Sequence, residues 1–454
     1  MTTKSDQRLD AASNPPESQP DRRPSDYARR DLLRAGAAFG IGFAAVSLTG
    51  CGEDRAAHAM PDEAGVAPRM PRRVKLGRTG LEVPDIGFGT FALETDVELV
   101  RFALDRGITH FDTAESYTEG RAEEVLGRAL EGDRNRVTLT TKVVASSSAT
   151  ADSLMADLEG SLRRLRTDRV DIYLNHAVDS PERMSNPGWN EFVARAKQQG
   201  KIRFSGMSGH GPALVPCLDA ALAAGQLDVI LIGYNYIQSP DFLDTTKAWV
   251  QRRLGEVDWV ALQPELPSFL ARAKAAGVGI MAMKTLRGAR SNDMRPYETK
   301  GSTFAQAALR WVLSDGRIDA AVITMTTREM VDEYLVASGG SRPTGEDVAL
   351  LGRYERINRH SQCVQGCGAC AQACPAQVPI SDVLRIGMYD RDYRQPEIAR
   401  RTYSELSRNA DACRSCSGAP CASVCPTGVS IRALSLSAHQ RLADRSMQRD
   451  DGSA

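Results

Sequence analysis

Eight of the chain's ten cysteines fall in two tight runs, and each run closes in Cys-Pro. The first holds Cys363, Cys367, Cys370 and Cys374, followed by Pro375; the second holds Cys413, Cys416, Cys421 and Cys425, followed by Pro426. Three closely spaced thiolates can cap three corners of an iron–sulfur cube, and the Cys before Pro supplies a fourth ligand. Where two such runs occur together, the fourth Cys of each ligates the other cluster. The pattern therefore predicts two [4Fe-4S] clusters and a protein that moves electrons. Zinc also favours Cys-x-x-Cys pairs, but it takes four ligands and has no use for the closing Cys-x-x-x-Cys-Pro. Disulfides would suit an even number of cysteines in an oxidising compartment. The first run separates its first two cysteines by three residues, and the second separates its second and third by four. These spacings leave open which cysteine serves which cluster.

A second set of residues suits proton chemistry. Asp112 and Tyr117 lie in Phe111-Asp-Thr-Ala-Glu-Ser-Tyr117, Lys142 ends one apolar run, and His176 ends the next. A carbonyl oxygen needs a proton as hydride reaches its carbon. A Tyr hydroxyl can give one, and a neighbouring ammonium lowers its pKa by favouring the phenolate. Lys142 is the candidate ammonium, Asp112 balances its charge, and His176 orients the carbonyl or donates to the developing oxyanion. Singly, each has an ordinary explanation: a solvated cap, a locally bonded imidazole, a helix cap.

The elements that must hold this set follow from periodicity. Short apolar runs at Ile86–Thr90, Ile108–Phe111, Val137–Val143, Val170–Asn175, Ile202–Met207, Val229–Tyr234, Gly279–Met283 and Ala320–Thr324 read as strands. Between and after them, amphipathic patterns read as helices at Val97–Arg106, Glu123–Glu131, Ala151–Leu165, Glu191–Gln199, Ala213–Ala224, Pro267–Ala276, Phe304–Ser314 and Glu329–Ala337. Eight strand–helix units define an α/β fold, a (β/α)8 TIM barrel over 72–343, whose chemistry sits at the C-terminal strand ends. The rival is a doubly wound sheet, but Gly87-Phe-Gly89 lacks the third glycine of a phosphate turn. Val74–Pro84 reads as a β-hairpin that could plug the barrel floor, and the long Ser239–Leu262 stretch as a mouth loop. Cys217, in an apolar helix, reads as an inert buried thiol.

At these residues the chain resembles the aldo-keto reductase family, from Phe111–Tyr117 through Gly120-Arg-Ala-Glu-Glu-Val-Leu-Gly127. With its cysteine runs it is most similar to the branch carrying a C-terminal ferredoxin-like domain. The resemblance implies a catalytic tetrad of Asp112, Tyr117, Lys142 and His176, with NADP(H) as the hydride carrier. Ser208, Tyr234, Asn235, Lys284 and Arg328 occupy the places from which nucleotide contacts would come. The sequence departs from the family there. Gly209 stands where an Asn often follows Ser208, strand six lacks its Gln, strand seven lacks its aromatic, and Tyr334 stands near an expected Asn.

The rest of the chain frames the organisation. Residues 1–51 read as a polar, disordered segment followed by an export signal. Arg29-Arg30 precedes an apolar run too short to span a membrane, and Leu48-Thr-Gly-Cys51 resembles a lipobox whose Cys51 is lipidated. A tether over 52–71 follows. A twin-arginine route, which the resemblance implies carries folded proteins, would export the clusters intact to a periplasmic or other extracytoplasmic membrane face. Residues 344–360 read as a helical connector, 361–438 as a compact cluster-binding module with helices near Pro379–Met388 and Arg400–Asn409, and 439–454 as a polar tail. The formal net charge of +0, from 57 basic and 57 acidic residues, gives no sign of a nucleic-acid partner. Three functions follow: a cluster-bearing oxidoreductase acting on a small carbonyl or alcohol, with an electron-transfer partner at the membrane; an electron carrier or docking protein whose barrel has lost hydride chemistry; or the same enzyme with clusters that are purely structural.

Overall fold

A hairpin precedes the barrel and closes its floor. In the computed structural model, which describes residues 71–238, 263–287, 294–299, 302–340, 342–358 and 360–443, strands β1 (Arg73–Lys75) and β2 (Glu82–Pro84) pair antiparallel. Leu76, Leu81 and Val83 from this hairpin are buried against the barrel-interior residues Ile172, Leu174, Val229, Leu231 and Met281. Each such side chain contributes about 1.5–3 kcal/mol by leaving water. Gly77 turns with φ +50 at the floor, where a Cβ would lie 2.4 Å from the Gly277 carbonyl oxygen, so only glycine fits.

Eight parallel strands then close the barrel: β3 (Ile86–Gly89), β4 (His110–Asp112), β5 (Thr138–Val143), β6 (Val170–Asn175), β7 (Ile202–Gly209), β8 (Val229–Gly233), β9 (Gly279–Met283) and β10 (Ala320–Thr324). β10 pairs with β3, which completes the ring. The expected runs were apolar on both faces because barrel strands are covered inside and out. The ring of helices comprises α1 (Val97–Asp105), α2 (Arg121–Ala129), α3 (Ala151–Arg164), α4 (Pro181–Ser185), α5 (Pro187–Gln198), α6 (Leu214–Ala223), α7 (Leu266–Ala275), α8 (Phe304–Ser314) and α9 (Arg328–Leu335). Local chemistry starts several of them. Asp96 caps α1 by accepting from Leu99 N, and reciprocal capping boxes open α3 (Thr150, Ser153) and α8 (Thr303, Gln306).

The C-terminal part contains helices α10 (Gly345–Asn358), α11 (Ala369–Ala373), α12 (Ile380–Arg391), α13 (Pro396–Ser404), α14 (Pro420–Ser423) and α15 (Ile431–Leu442). It has its own core, including Val378, Ile380, Val383, Ile386, Tyr403, Ile431 and Leu442, against which six of the cysteines pack wholly or in part. Two boundaries differ from the sequence reading. α13 starts at Pro396, whose fixed φ suits a first helical turn, rather than at Arg400. α15 runs to Leu442, so the module extends past 438 into the expected tail. The signal, Cys51, the tether to residue 70 and the Ser239–Leu262 loop lie outside the described residues. No helix among the described residues is long and apolar enough to cross a membrane.

Candidate functional site

The barrel delivers the four predicted proton-handling residues to one mouth. β4 ends in Asp112, β5 carries Lys142, β6 leads into His176, and Tyr117 opens a short helical turn after β4. Lys142 Nζ donates to Asp112 Oδ1 at 2.7 Å and to the Thr113 carbonyl at 2.5 Å. The ammonium lies 4.9 Å from the centre of the Tyr117 ring. His176 meets that ring edge-on, with centroids 5.6 Å apart. His176 is itself fixed by its backbone: its N–H donates to Val143 O at 2.7 Å, and the Arg183 guanidinium donates to its carbonyl at 2.7 Å. Arg183, which sequence reasoning missed, also binds the Ala145 and Ala177 carbonyls and Asn175, and so clamps the whole turn.

Electrostatics set the protonation states. Burial would lower Lys142, but Asp112 and Tyr117 outweigh it and hold the ammonium above its ordinary pKa. Burial and the positive charges of Lys142, Lys284 and Arg183 push His176 down to about 3, so the imidazole is neutral. The expectation for Tyr117 is corrected in direction. Burial raises the phenol above its ordinary value, and the opposing pull of Lys142 does not cancel that. Tyr117 is thus a protonated donor rather than a poised phenolate. Asp112 Oδ2, Thr113 Oγ1 and His176 Nδ1 are buried without partners. Such unspent capacity in a partly open mouth suits a reacting polar group. The backbone is strained around the same mouth, with positive φ at Thr118, Glu119, Ala177, Lys284 and Arg287.

The nucleotide candidates divide. Ser208 is buried at the end of β7, and its Oγ accepts from Ala177 N at 3.0 Å. Asn235 is buried with its Nδ2 unpaired. Lys284 follows β9 and is pushed down to about 7 by burial and by Arg385. Arg328 is exposed on the first turn of α9, 5.2 Å from the centre of the Phe102 ring. Tyr234 is not brought to the mouth. Its ring stacks on Trp311 at 5.5 Å and its hydroxyl donates to Asp315 at 2.6 Å, which commits it to the layer between strands and helices.

The C-terminal part covers this mouth, which no sequence signal announced. Tyr389 of α12 packs on Phe91 at 5.1 Å, and Phe91 packs edge-on against Tyr117 at 5.4 Å. Arg385 of α12 donates to His210 at 3.4 Å. Gln365, between the first two cysteines, fills the space beside Gly233, where a Cβ would meet its Nε2 at 1.7 Å.

The eight cysteines form no disulfide. Burial and neighbouring cysteines raise several of their thiols. Burial and then Cys370, Cys367 and Cys425 push Cys363 up to about 12, with Arg287 opposing. Burial and then Cys374, Cys421 and Cys416 push Cys413 up. Burial and then Cys367, Cys421 and Cys425 push Cys370 up to about 11, so thiols of the two runs lie close to one another. Among the described residues no three Cys, His, Asp or Glu side chains converge tightly enough for a single metal ion.

A closed barrel with a protonated Tyr beside a buried Lys–Asp pair defines the class as a (β/α)8 oxidoreductase. The chain belongs to the aldo/keto reductase family, whose pattern matches residues 84–340. It is similar to L-glyceraldehyde 3-phosphate reductase of Escherichia coli, at 26% identity over 315 residues, covering 61% of this chain and 90% of that one. It is also similar to methylglyoxal reductase DkgB of Salmonella typhimurium, at 30% identity over 266 residues, covering 57% of this chain and 88% of that one. Among solved structures, an aldo-keto reductase from Klebsiella pneumoniae in complex with NADPH aligns at 25% identity and a TM-score of 0.48, covering 63% of this chain and 95% of that one.

Proposed function

We propose that this aldo-keto reductase interconverts a small carbonyl compound and its alcohol, with Tyr117 as the proton donor, and exchanges electrons through two [4Fe-4S] clusters. The observation that carries the reading is the convergence of Asp112, Lys142, Tyr117 and His176, with Lys142 bonded to Asp112 at 2.7 Å. The similar glyceraldehyde-phosphate and methylglyoxal reductases are named for carbonyl substrates, which supports that class here.

Reduction adds a hydride at the carbonyl carbon and a proton at its oxygen. A bound reduced nicotinamide dinucleotide supplies the hydride; Ser208 and the unpaired Asn235 fit its nicotinamide end and Arg328 its phosphate end. Tyr117 gives up its hydroxyl proton as the oxygen gains charge, and the Lys142 ammonium stabilises the phenolate left behind. Asp112 holds that ammonium in place. Neutral His176 donates a hydrogen bond to the oxygen without surrendering a charge.

By the pattern in which the Cys before Pro in each run ligates the other cluster, one cluster is assigned to Cys363, Cys367, Cys370 and Cys425, and another to Cys374, Cys413, Cys416 and Cys421. Such clusters, when bound, pass single electrons to a partner. The twin-arginine-like segment and the lipobox at Cys51 support export and a lipid anchor, which would place that partner at the membrane.

A second reading keeps the clusters and drops hydride chemistry. It is favoured by Tyr234 turning into the core and by Gly209 in the place of an Asn. One anaerobic preparation separates the two: iron content, visible spectrum and any nucleotide released on denaturation. Bound or tightly binding NADP(H) with reducible clusters supports the oxidoreductase; clusters with no nucleotide affinity support the carrier.

A further inference from the structure

Positive charge at the mouth exceeds what the Tyr117 chemistry uses. Three adjacent strand ends frame it. β7 pairs with β8 at Gly209–Ile232, and β8 pairs with β9 at Gly233–Met283. His210 and Lys284 are the next residues beyond these pairs, so they share one edge of the mouth. From above, α12 brings Arg385, which donates to His210 Nδ1 at 3.4 Å and is ion-paired to Asp382 on its own helix.

The charge balance is simple. Arg385 carries a full positive charge, Lys284, pushed down to about 7, carries part of one near neutral pH, and Asp382 returns one. No carboxylate forms an ion pair with Lys284 among the described residues. His210 is held neutral by burial, Lys284, Arg385 and His176. Lys284 itself sits on strained backbone at φ 59, a conformation a fold retains where the side chain's position is needed. The unpartnered Nε2 of Gln365 lies in the same corner, beside His210 and Gly233. The corner therefore offers donors and a partial positive charge on Lys284 that no ion pair among the described residues offsets, which a bound anion would complete.

The neighbouring side decides what fills it. The turn that carries His176 is bonded to the end of β7, with Ala177 N donating to Ser208 Oγ at 3.0 Å and Val178 N to Ser208 O at 2.8 Å, two residues before His210, and His176 touches the Tyr117 ring. An anion here adjoins the reacting carbonyl, so both belong to one small molecule.

We propose that the substrate is a carbonyl compound bearing a carboxylate next to the reacting carbon, a 2-oxo acid or its hydroxy-acid product. Lys284 of the barrel and Arg385 of the C-terminal module hold that carboxylate, so the module is part of the substrate site. This rests on the carbonyl-reducing reading of the mouth. A guanidinium matches a carboxylate with two parallel hydrogen bonds, and such charge-assisted bonds are about twice as strong as neutral ones.

Calorimetric titration of the anaerobically purified full chain with oxamate and with its neutral counterpart oxamide tests the proposal without turnover. Oxamate binds about tenfold or more tightly than oxamide in the unaltered protein. The preference collapses in Arg385→Gln and in Lys284→Gln, and Arg385→Lys keeps part of it. If Arg385→Gln releases the module, Lys284→Gln, on the barrel side, carries the test. Equal or undetectable binding of oxamate overturns the proposal. So does an intact oxamate preference in both variants with weakened NADP(H) binding, which assigns the cations to the dinucleotide's pyrophosphate. Failure of the carbonyl-reducing reading shows separately, as carbonyl turnover that survives Tyr117→Phe.

Discussion

Lys142 Nζ lies 2.7 Å from Asp112 Oδ1, and only 1% and 4% of the two side chains are exposed. Removing one partner of such a pair strands the other in a low-dielectric site, at a cost of about 3–5 kcal/mol. Lys142→Met is therefore expected to lower stability by that amount and carbonyl turnover by about 10²–10⁴-fold. Denaturant melts and steady-state assays check it. The double variant Lys142→Met/Asp112→Leu recovers much of the stability and none of the turnover. A double variant as unstable as the single one contradicts the account of the pair.

Acid should weaken the fold through buried imidazoles. His110 is fully buried with Nε2 3.0 Å from Thr140 Oγ1, and burial, then Lys142, lower it from 6.5 to about 4. The folded pKa is below the unfolded one, so unfolding takes up a proton between them. The stability is present above 6.5 and is lost as pH falls through about 4. Melts from neutral pH down to that region should show the decline, and His110→Asn should flatten it. An equal slope in the variant removes His110 as its source.

Tyr117 makes the opposite prediction at high pH. Its folded pKa is raised by burial against the pull of Lys142, so the proton needed for reduction persists beyond the ordinary phenol range. Carbonyl reduction should hold level through mildly alkaline pH and fall only above about 10. A decline centred near neutrality assigns the proton to another group.

The proposed two-cluster arrangement crosses between the cysteine runs, with Cys425 serving the first and Cys374 the second. Cys425→Ala should remove about half of the iron and the same cluster spectrum that Cys367→Ala removes, leaving the one that depends on Cys413. Electron paramagnetic resonance of the reduced variants distinguishes them. Loss of the Cys413-dependent cluster in Cys425→Ala contradicts the crossed pairing.

Gly233 tests the docking of the first cysteine run. A Cβ there meets Gln365 Nε2 at 1.7 Å, so Gly233→Ala must displace the Gln365 side chain, and where Gln365 anchors its loop the loop loosens with it. Limited proteolysis near the connector should quicken while barrel stability changes by less than about 1 kcal/mol. Unchanged cleavage contradicts a tight fit between the loop and the barrel.

The barrel was legible because its strands are buried on both faces and read as unbroken apolar runs, Val170–Asn175 most plainly. The hairpin floor and the tetrad followed from the turn residues and from the strand ends. What could not be read is distance across the chain. Tyr389 and Arg385 lie in a charged helix more than two hundred residues from Tyr117, and nothing local marks them as part of its mouth. The direction of the Tyr117 shift was equally hidden, because it depends on how much protein surrounds the phenol and not on the identity of its cationic neighbour. Tyr234 misled for a related reason: a strand-end position says which level a residue occupies, but not which face its ring takes.

The central claim is that Tyr117 protonates a carbonyl as hydride arrives. It is tested most directly by following NADPH oxidation with a panel of small aldehydes and 2-oxo acids, for the unaltered chain and for Tyr117→Phe, with dinucleotide binding measured in parallel. Turnover by the unaltered chain, falling about 10²–10⁴-fold in the variant with dinucleotide affinity retained, is the predicted result. Equal turnover in the two proteins would contradict it.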